Sequence, residues 1–245
     1  MREARPISGR MARSLLGRAM GLQPKYLPPA GHSVINEDSG TPGGGPLSWV
    51  LSSGGVLATL DIDFVNDRAY RSSSLISIPS IVSGVPSLSY NTSGLLTDAS
   101  HFNSYSAPLS LFSAAAGTYY VETDSVTGSG NDRIISGQSG AATAIFRNSD
   151  TSVGTYDGSV ALTATIGSSG NLTSGVIKSA MAFNASSRSI CAKGGTVASD
   201  ANTFPTVTEM AFGGTSTSGS LIGRIRRIAY WNFKIADVVL QNLTT

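Results

Sequence analysis

Residues 213–245 read GGTSTSGSLIGRIRRIAYWNFKIADVVLQNLTT, and this stretch decides the fold. A Gly/Ser/Thr turn leads into Leu221-Ile222-Gly223-Arg224-Ile225-Arg226-Arg227-Ile228-Ala229-Tyr230-Trp231, where apolar and basic residues roughly alternate. That period of two is the mark of a strand. A short helical pattern follows after a corner, so the segment reads as strand, corner and closing helix.

Working backwards, strands recur at short intervals over Tyr119–Glu122, Arg133–Ser136, Ala142–Arg147, Ser159–Ile166, Gly175–Phe183, Arg188–Ala192, Glu209–Gly213 and Leu221–Trp231. Turn signals such as Gly128-Ser129-Gly130-Asn131 and Gly167-Ser168-Ser169-Gly170 punctuate them, and regular spacing of this kind predicts a two-sheet sandwich. Tyr230 and Trp231, neighbours on one strand, should face opposite ways, one inside and one outward or at a subunit contact, with Ile225 and Ile228 in the core.

The closing segment resembles the C-terminal end of concanavalin A-like (laminin-G-like) domains in structural proteins of tailed bacteriophages. The matching residues are Gly223, Ile225, Arg226, Arg227, Ile228, Ala229, Tyr230 and Trp231, then Leu240, Gln241, Leu243 and Thr244. Arg188 to Asp200 with Phe204-Pro205-Thr206-Val207 is similar to the preceding hairpin of that family, Thr118–Glu122 to its first long strand, and Asn131–Ile134 to the strand after its turn. Leu60-Asp61-Ile62-Asp63-Phe64 is similar to the segment that leads into this domain in phage fibre proteins. The resemblance implies an all-β fold: a concanavalin A-like jelly-roll β-sandwich with an extended N-terminal arm and a short C-terminal helix. Family helices usually start with Ser or Thr where this chain has Ala236, so a side-chain cap worth about 1 kcal/mol is missing. Asp237 offsets part of that against the helix dipole, and the expectation is a helix that frays.

Composition agrees. Only 13% of the 245 residues are charged and there are 28 glycines, which suits short strands and tight turns. Sparse charge with a mean hydropathy of +0.08 also suits a protein whose surface is partly covered by other subunits, and a homo-oligomer, a trimer among the options, is expected. The single Cys191 rules out an intrachain disulfide and reads as a small buried strand residue. No run of 18 apolar residues suggests a membrane span.

Three segments emerge. Residues 1–45 are a basic arm and Pro/Gly linker, 46–114 a Ser-rich β segment, either a subdomain or early strands of the sandwich, and 115–245 the concanavalin A-like sandwich. The first 26 residues carry Arg2, Arg5, Arg10, Arg13, Arg18 and Lys25 against Glu3 alone, so residues 27–245 sum to −3. Met11, Leu15, Leu16, Ala19 and Met20 fall along one side of a short helix, which Gly17 and Gly21 weaken. Such a helix orders against a partner, and Arg10, Arg13, Leu15, Leu16 and Arg18 are the expected attachment residues to other virion proteins.

Catalysis lacks a carrier in the sequence. Glycoside hydrolases on this fold use an E-x-D-x-x-E strand; here Glu122-Thr123-Asp124-Ser125-Val126-Thr127 has two of the three acids and ends in Thr127. His32 and His101 sit in a linker and a loop with no nucleophile beside them. Asp124, Asn131 and Asp132 are the best oxygen ligands for calcium, yet ordinary turn residues explain them better. No catalytic residue, cofactor or metal is therefore expected. Arg224, Arg226 and Arg227 on one strand of a net-acidic domain read as solvated or paired with carboxylates, in preference to a nucleic-acid surface. For glycans, Tyr105, Tyr156 and Trp231 are the aromatic candidates. What the resemblance implies is a non-enzymatic virion protein, a tail fibre or tail-associated protein. It would be anchored by its arm and display a sandwich towards host surface glycans. A head decoration protein or head fibre, and a carbohydrate-binding module, are the alternatives.

Overall fold

The computed structural model describes residues 47–72, 74–78, 89–97, 105–108, 115–128, 132–137, 142–168, 170–205, 209–213 and 221–245, all within one compact unit. The attachment residues Arg10, Arg13, Leu15, Leu16 and Arg18, and both histidines, lie outside the described residues.

Along the chain run β1 (Ser52–Ser53), β2 (Val56–Leu57), β3 (Leu60–Asp63), β4 (Arg68–Arg71), β5 (Ser74–Ile76), β6 (Tyr90–Asn91), β7 (Gly94–Thr97), β8 (Tyr105–Pro108) and β9 (Gly117–Thr127). Then come β10 (Asp132–Gly137), β11 (Thr143–Ser149), β12 (Ser152–Tyr156), β13 (Ala161–Thr165), β14 (Val176–Phe183), β15 (Arg188–Ala192), β16 (Ala198–Asp200), β17 (Glu209–Phe212), β18 (Ile222–Trp231) and the helix α1 (Asp237–Leu243). The larger sheet has the order β16-β15-β14-β9-β18-β3-β4-β5, with β7 also on β18 and β6 on β7; the smaller is β13-β12-β11-β10-β17-β8. All pairings are antiparallel, and the fold is the all-β jelly-roll sandwich that the sequence led us to expect. Of the described strands between 47 and 97, β3, β4, β5 and β7 join the larger sheet and β6 follows through β7, while β1 and β2 form a separate two-stranded sheet.

Alternation explains how that sheet is packed. In β3, Leu60 and Ile62, with Phe64 just beyond, enter the core between the sheets, and Asp61 and Asp63 point the other way. In β9, Tyr119 and Val121 face the core while Tyr120 belongs to a second apolar layer on the back of the sheet. That back layer is covered by residues 47–58 and α1, which supply Trp49, Val50, Leu51, Ala58, Leu240 and Leu243. Around Tyr120, Ala229 and Trp231 both faces of the sheet are buried as a result, and the expectation for the aromatic pair is corrected. Tyr230 enters the inner core, Trp231 enters the back layer, and both are 0% exposed. The Trp231 indole N–H donates to the Val56 carbonyl at 3.1 Å, so even its polar edge is satisfied.

Ile225 and Ile228 are three residues apart yet both face the inner core. A regular strand forbids this, and a bulge supplies the missing residue: Ile225 is opposite Thr123 and Arg227 opposite Glu122, which leaves Arg226 extra. A second irregularity lies just before it, between Ile222 and Arg224, where Gly223 has φ +151° and a Cβ would come within 2.9 Å of the Val126 backbone. Glycine at the start of the matched motif is a steric requirement.

Helix α1 starts at Ala236 with no side-chain cap, and Asp237 is the acid in its first turn. Packing anchors it in place of the cap. Leu240 and Leu243 are buried, and the Gln241 side-chain amide donates to the carbonyls of Gly194 and Gly195, both at 3.0 Å.

Truncating either aromatic should be costly. Trp231→Ala and Tyr230→Ala are each expected to lower unfolding free energy by about 3–5 kcal/mol, read from urea denaturation. A negligible loss for Trp231→Ala would mean that the back layer is not packed as described.

Candidate functional site

Charge is concentrated on the back of the larger sheet. Asp61 on β3 is 0% exposed and accepts from Arg227 Nε at 2.8 Å, from Arg227 Nη2 at 2.6 Å and from the Leu51 amide at 2.7 Å. Arg227 also donates to the Trp49 carbonyl at 2.6 Å. Two residues on, Asp63 accepts from Arg68 Nε at 2.9 Å and from the side chain of Asn66 at 2.8 Å. The Trp49 ring is near both arginines, 4.4 Å from the Arg68 guanidinium and 6.0 Å from that of Arg227. Opposite Arg227 across the sheet stands Glu122, which accepts the Tyr120 hydroxyl at 2.7 Å.

Burial pushes the Asp61 carboxyl above its ordinary range, against the pull of Arg227 and of the Leu51 amide. For Arg227, burial works against the charge, but Asp61, Glu122 and Asp63 more than restore it, and the guanidinium is held above its usual value. Burial and the neighbouring Glu122 carboxylate raise the Tyr120 phenol well above its ordinary value. Each group is held in place by another of the cluster. The acids of the partial hydrolase pattern also have partners. Glu122 is tied to Tyr120, and Asp124 accepts from Arg226 Nη1 at 3.3 Å and from the Ser125 hydroxyl at 2.8 Å. Two of the three β18 arginines pair with carboxylates, Arg226 with Asp124 and Arg227 with Asp61, whereas Arg224 donates to the Gly94 carbonyl at 3.3 Å. Of the calcium candidates, Asp132 faces Arg147 at 3.4 Å, Asp124 holds Arg226, and Asn131 lies outside the described residues.

A second charge cluster lies inside the sandwich. Arg188 on β15 is 0% exposed and makes a forked contact to Asp200 on β16, with Nε at 3.0 and 3.2 Å and Nη2 at 2.9 Å. Its Nη2 also donates to the Val160 carbonyl at 3.0 Å and sits 3.4 Å from Asp157, both in the β12–β13 turn. One guanidinium thus ties the two sheets together at their shared edge. Cys191, next but two along β15, is buried as expected; burial raises its thiol, which lies 3.1 Å from the Gly195 carbonyl.

The glycan candidates separate. Trp231 is corrected: it is enclosed beneath residues 47–58 and presents nothing to solvent. Tyr156 ends β12 half-buried, in register between Thr143 and Ala161. The backbone of Tyr105 pairs with Phe212, and its side chain lies outside the described residues. The sequence reading missed Trp49, Arg68, Asp61 and Asp63 as one assembly, and Arg188 as a tie. Two aspartates alternating with core residues in Leu60–Phe64 were the available signal, since acids on a strand of a low-charge chain need partners.

No protein-family model matches this chain, and no curated protein does. Among solved structures it is similar to a Trypanosoma rangeli sialidase, at a TM-score of 0.54 and 13% identity, over 77% of this chain and 33% of that one. It is also similar to the same organism's sialidase captured with 2,3-difluorosialic acid as a covalent intermediate, at 0.53 and 14%, over 84% of this chain and 34% of that one. A carbohydrate-binding module, the CBM40 of a Ruminococcus gnavus sialidase bound to α2,3-sialyllactose, gives 0.44 and 16%, over 54% of this chain and 84% of that module. The chain spans about a third of the sialidases' length, and what it shares with them is the sandwich fold.

Two outcomes follow from the charge clusters. Asp61→Ala strands the Arg227 guanidinium and should cost about 3–5 kcal/mol, whereas Asp61→Ala with Arg227→Met should recover most of it; equal losses in both would refute the pairing. Hydrogen bonds from Arg188 hold the Asp200 carboxyl below its usual range, with burial opposing. The unfolded chain takes up that proton near pH ~3.9 and the folded one only at lower pH. This stabilisation is therefore full above that value and is lost as pH falls through the folded one. Between pH 5 and about 2, urea midpoints of Asp200→Asn should fall less steeply than those of the unmodified protein.

Proposed function

We propose that this protein is a non-enzymatic, glycan-contacting β-sandwich displayed on a bacteriophage particle, as a tail fibre or tail-associated protein anchored by its first 45 residues. The observation that carries the non-enzymatic part is the commitment of the acids. Glu122 and Asp124, on the strand where a hydrolase of this fold would hold its pair, are bound to Tyr120 and Arg226. Retaining hydrolysis needs two carboxyls about 5–5.5 Å apart, one protonated and both free to meet the sugar.

The phage setting rests on the sequence resemblance of the closing segment, whose matched residues have structural work here. Ile225, Ile228 and Tyr230 fill the core, Ala229, Trp231, Leu240 and Leu243 fill the back layer, and Arg227 holds Asp61. Glycan contact is favoured by the fold shared with sialidases, one of them holding a sialic acid derivative, and by the half-buried Tyr156. Fold alone does not fix a ligand, so the array decides.

Full-length protein should bind a subset of sialylated or bacterial surface glycans on an array, cleave none of them, and lose binding on Tyr156→Ala without a change in melting temperature. Cleavage abolished by Glu122→Gln would overturn the non-enzymatic reading. Binding to no glycan, with deletion of residues 1–45 preventing incorporation into particles, would leave a purely structural virion protein.

A further inference from the structure

Among the described residues, the larger sheet ends in β5, β16 and, off its main path, the two-residue β6, and the smaller in β13 and β8. Exposed sheet edges invite pairing with other chains, and proteins blunt them with charge, proline, bulges or brevity. β5 and β16 have three residues each, β16 carries Asp200, and β8 carries Pro108. β13 has none of these protections. It reads Ala161-Leu162-Thr163-Ala164-Thr165, and its five pairs with β12 run without a register shift.

Hydrogen bonds on either side of the ladder show which groups of β13 face outward. The Asp157 amide donates to the Val160 carbonyl at 3.4 Å, and the Ile166 amide to the Thr151 carbonyl at 2.9 Å. Antiparallel ladders alternate bonded and non-bonded pairs. Thr155–Leu162 and Val153–Ala164 are then the bonded pairs, and Ala161, Thr163 and Thr165 turn their N–H and C=O away from β12. All three have exposed side chains. The Gly195 turn crowds the Thr165 carbonyl, since a Cβ there would come within 2.5 Å of it, so the open groups are those of Ala161 and Thr163. Between them Leu162 is packed against the core yet only partly buried.

We propose that β13 is the self-association edge: it pairs antiparallel with β13 of a second copy about a two-fold axis at Leu162. Ala161 of each copy then exchanges both backbone hydrogen bonds with Thr163 of the other, and the two Leu162 side chains meet and complete their burial. Charge selects a second copy as the occupant. Residues 158–166 carry no charged side chain, and Asp157 in the turn before β13 and Asp200 on β16 are both held by Arg188. The paired strands thus bring no like charges opposite each other, which cross-strand neighbours tolerate poorly. The low charge of the whole chain points the same way. This inference is independent of whether the sandwich binds a glycan.

The test uses the full-length protein. Sedimentation and light scattering should show a concentration-dependent dimer or an even-numbered assembly. Ala161→Lys with Thr163→Lys, at two exposed positions, sets lysines opposite each other twice and should weaken association at least about tenfold, with an unchanged melting temperature. Bonded cross-strand pairs lie about 5.5 Å apart, within disulfide reach. Ala161→Cys mixed with Thr163→Cys should therefore oxidise to a mixed dimer faster than either variant alone, and faster than Ala161→Cys mixed with Val238→Cys. A protein that stays monomeric at millimolar concentration, a lysine variant that associates as the unmodified protein does, or a mixed disulfide no faster than the Val238→Cys control would each overturn the proposal.

Discussion

The larger sheet depends on one desolvated contact, the pairing of Arg227 with Asp61. These residues come from opposite ends of the described chain and meet on adjacent strands, beneath a segment that contributes the Leu51 amide and the Trp49 carbonyl to the same pair. A buried ion pair is poor value in free energy when an apolar pair could fill the space, but it is intolerant of misplacement. It fixes the register of β18 on β3, and with it the place of Tyr230 and Trp231. It also gives the covering segment polar anchors, so that residues 47–58 lie in one position over the back layer.

Arg188 plays the corresponding part between the sheets. Its forked contact to Asp200 stays within the larger sheet, while its bond to the Val160 carbonyl reaches the smaller one. A planar guanidinium can do both at once because its donors diverge in fixed directions. Its Nη1 is buried without a protein partner, a cost that the other contacts must offset.

Much of this was legible in the sequence, and the exceptions have physical causes. Long strands with strong patterns, such as Val176–Phe183 and Ile222–Trp231, lie close to where alternation predicts them. β12, with the sequence SVGTY, was missed because a glycine and small polar residues dilute the pattern. Gly154 is there because the Phe146 ring occupies the space a Cβ would need, 2.3 Å away. The period of two correctly put Tyr230 and Trp231 on opposite faces but could not reveal that the back face is covered. Covering comes from residues 47–58, whose short strands give no periodic signal of their own. Of the glycan candidates, Trp231 is fully enclosed, since a large ring on a central strand is worth more inside than out.

The position of β18 in the sheet also bears on how the protein is made. This strand is flanked by β9 and β3 and also holds β7, so partners from widely separated parts of the chain all wait for residues 222–231. During synthesis the smaller sheet has most of its strands on hand early, whereas the larger remains two unjoined halves with their apolar faces open. Topologies dominated by such distant pairings fold slowly and are exposed to aggregation meanwhile. A chain interrupted before Ile222 would therefore have a core without its centre, and would be a substrate for chaperones or proteases, not a smaller version of the same domain.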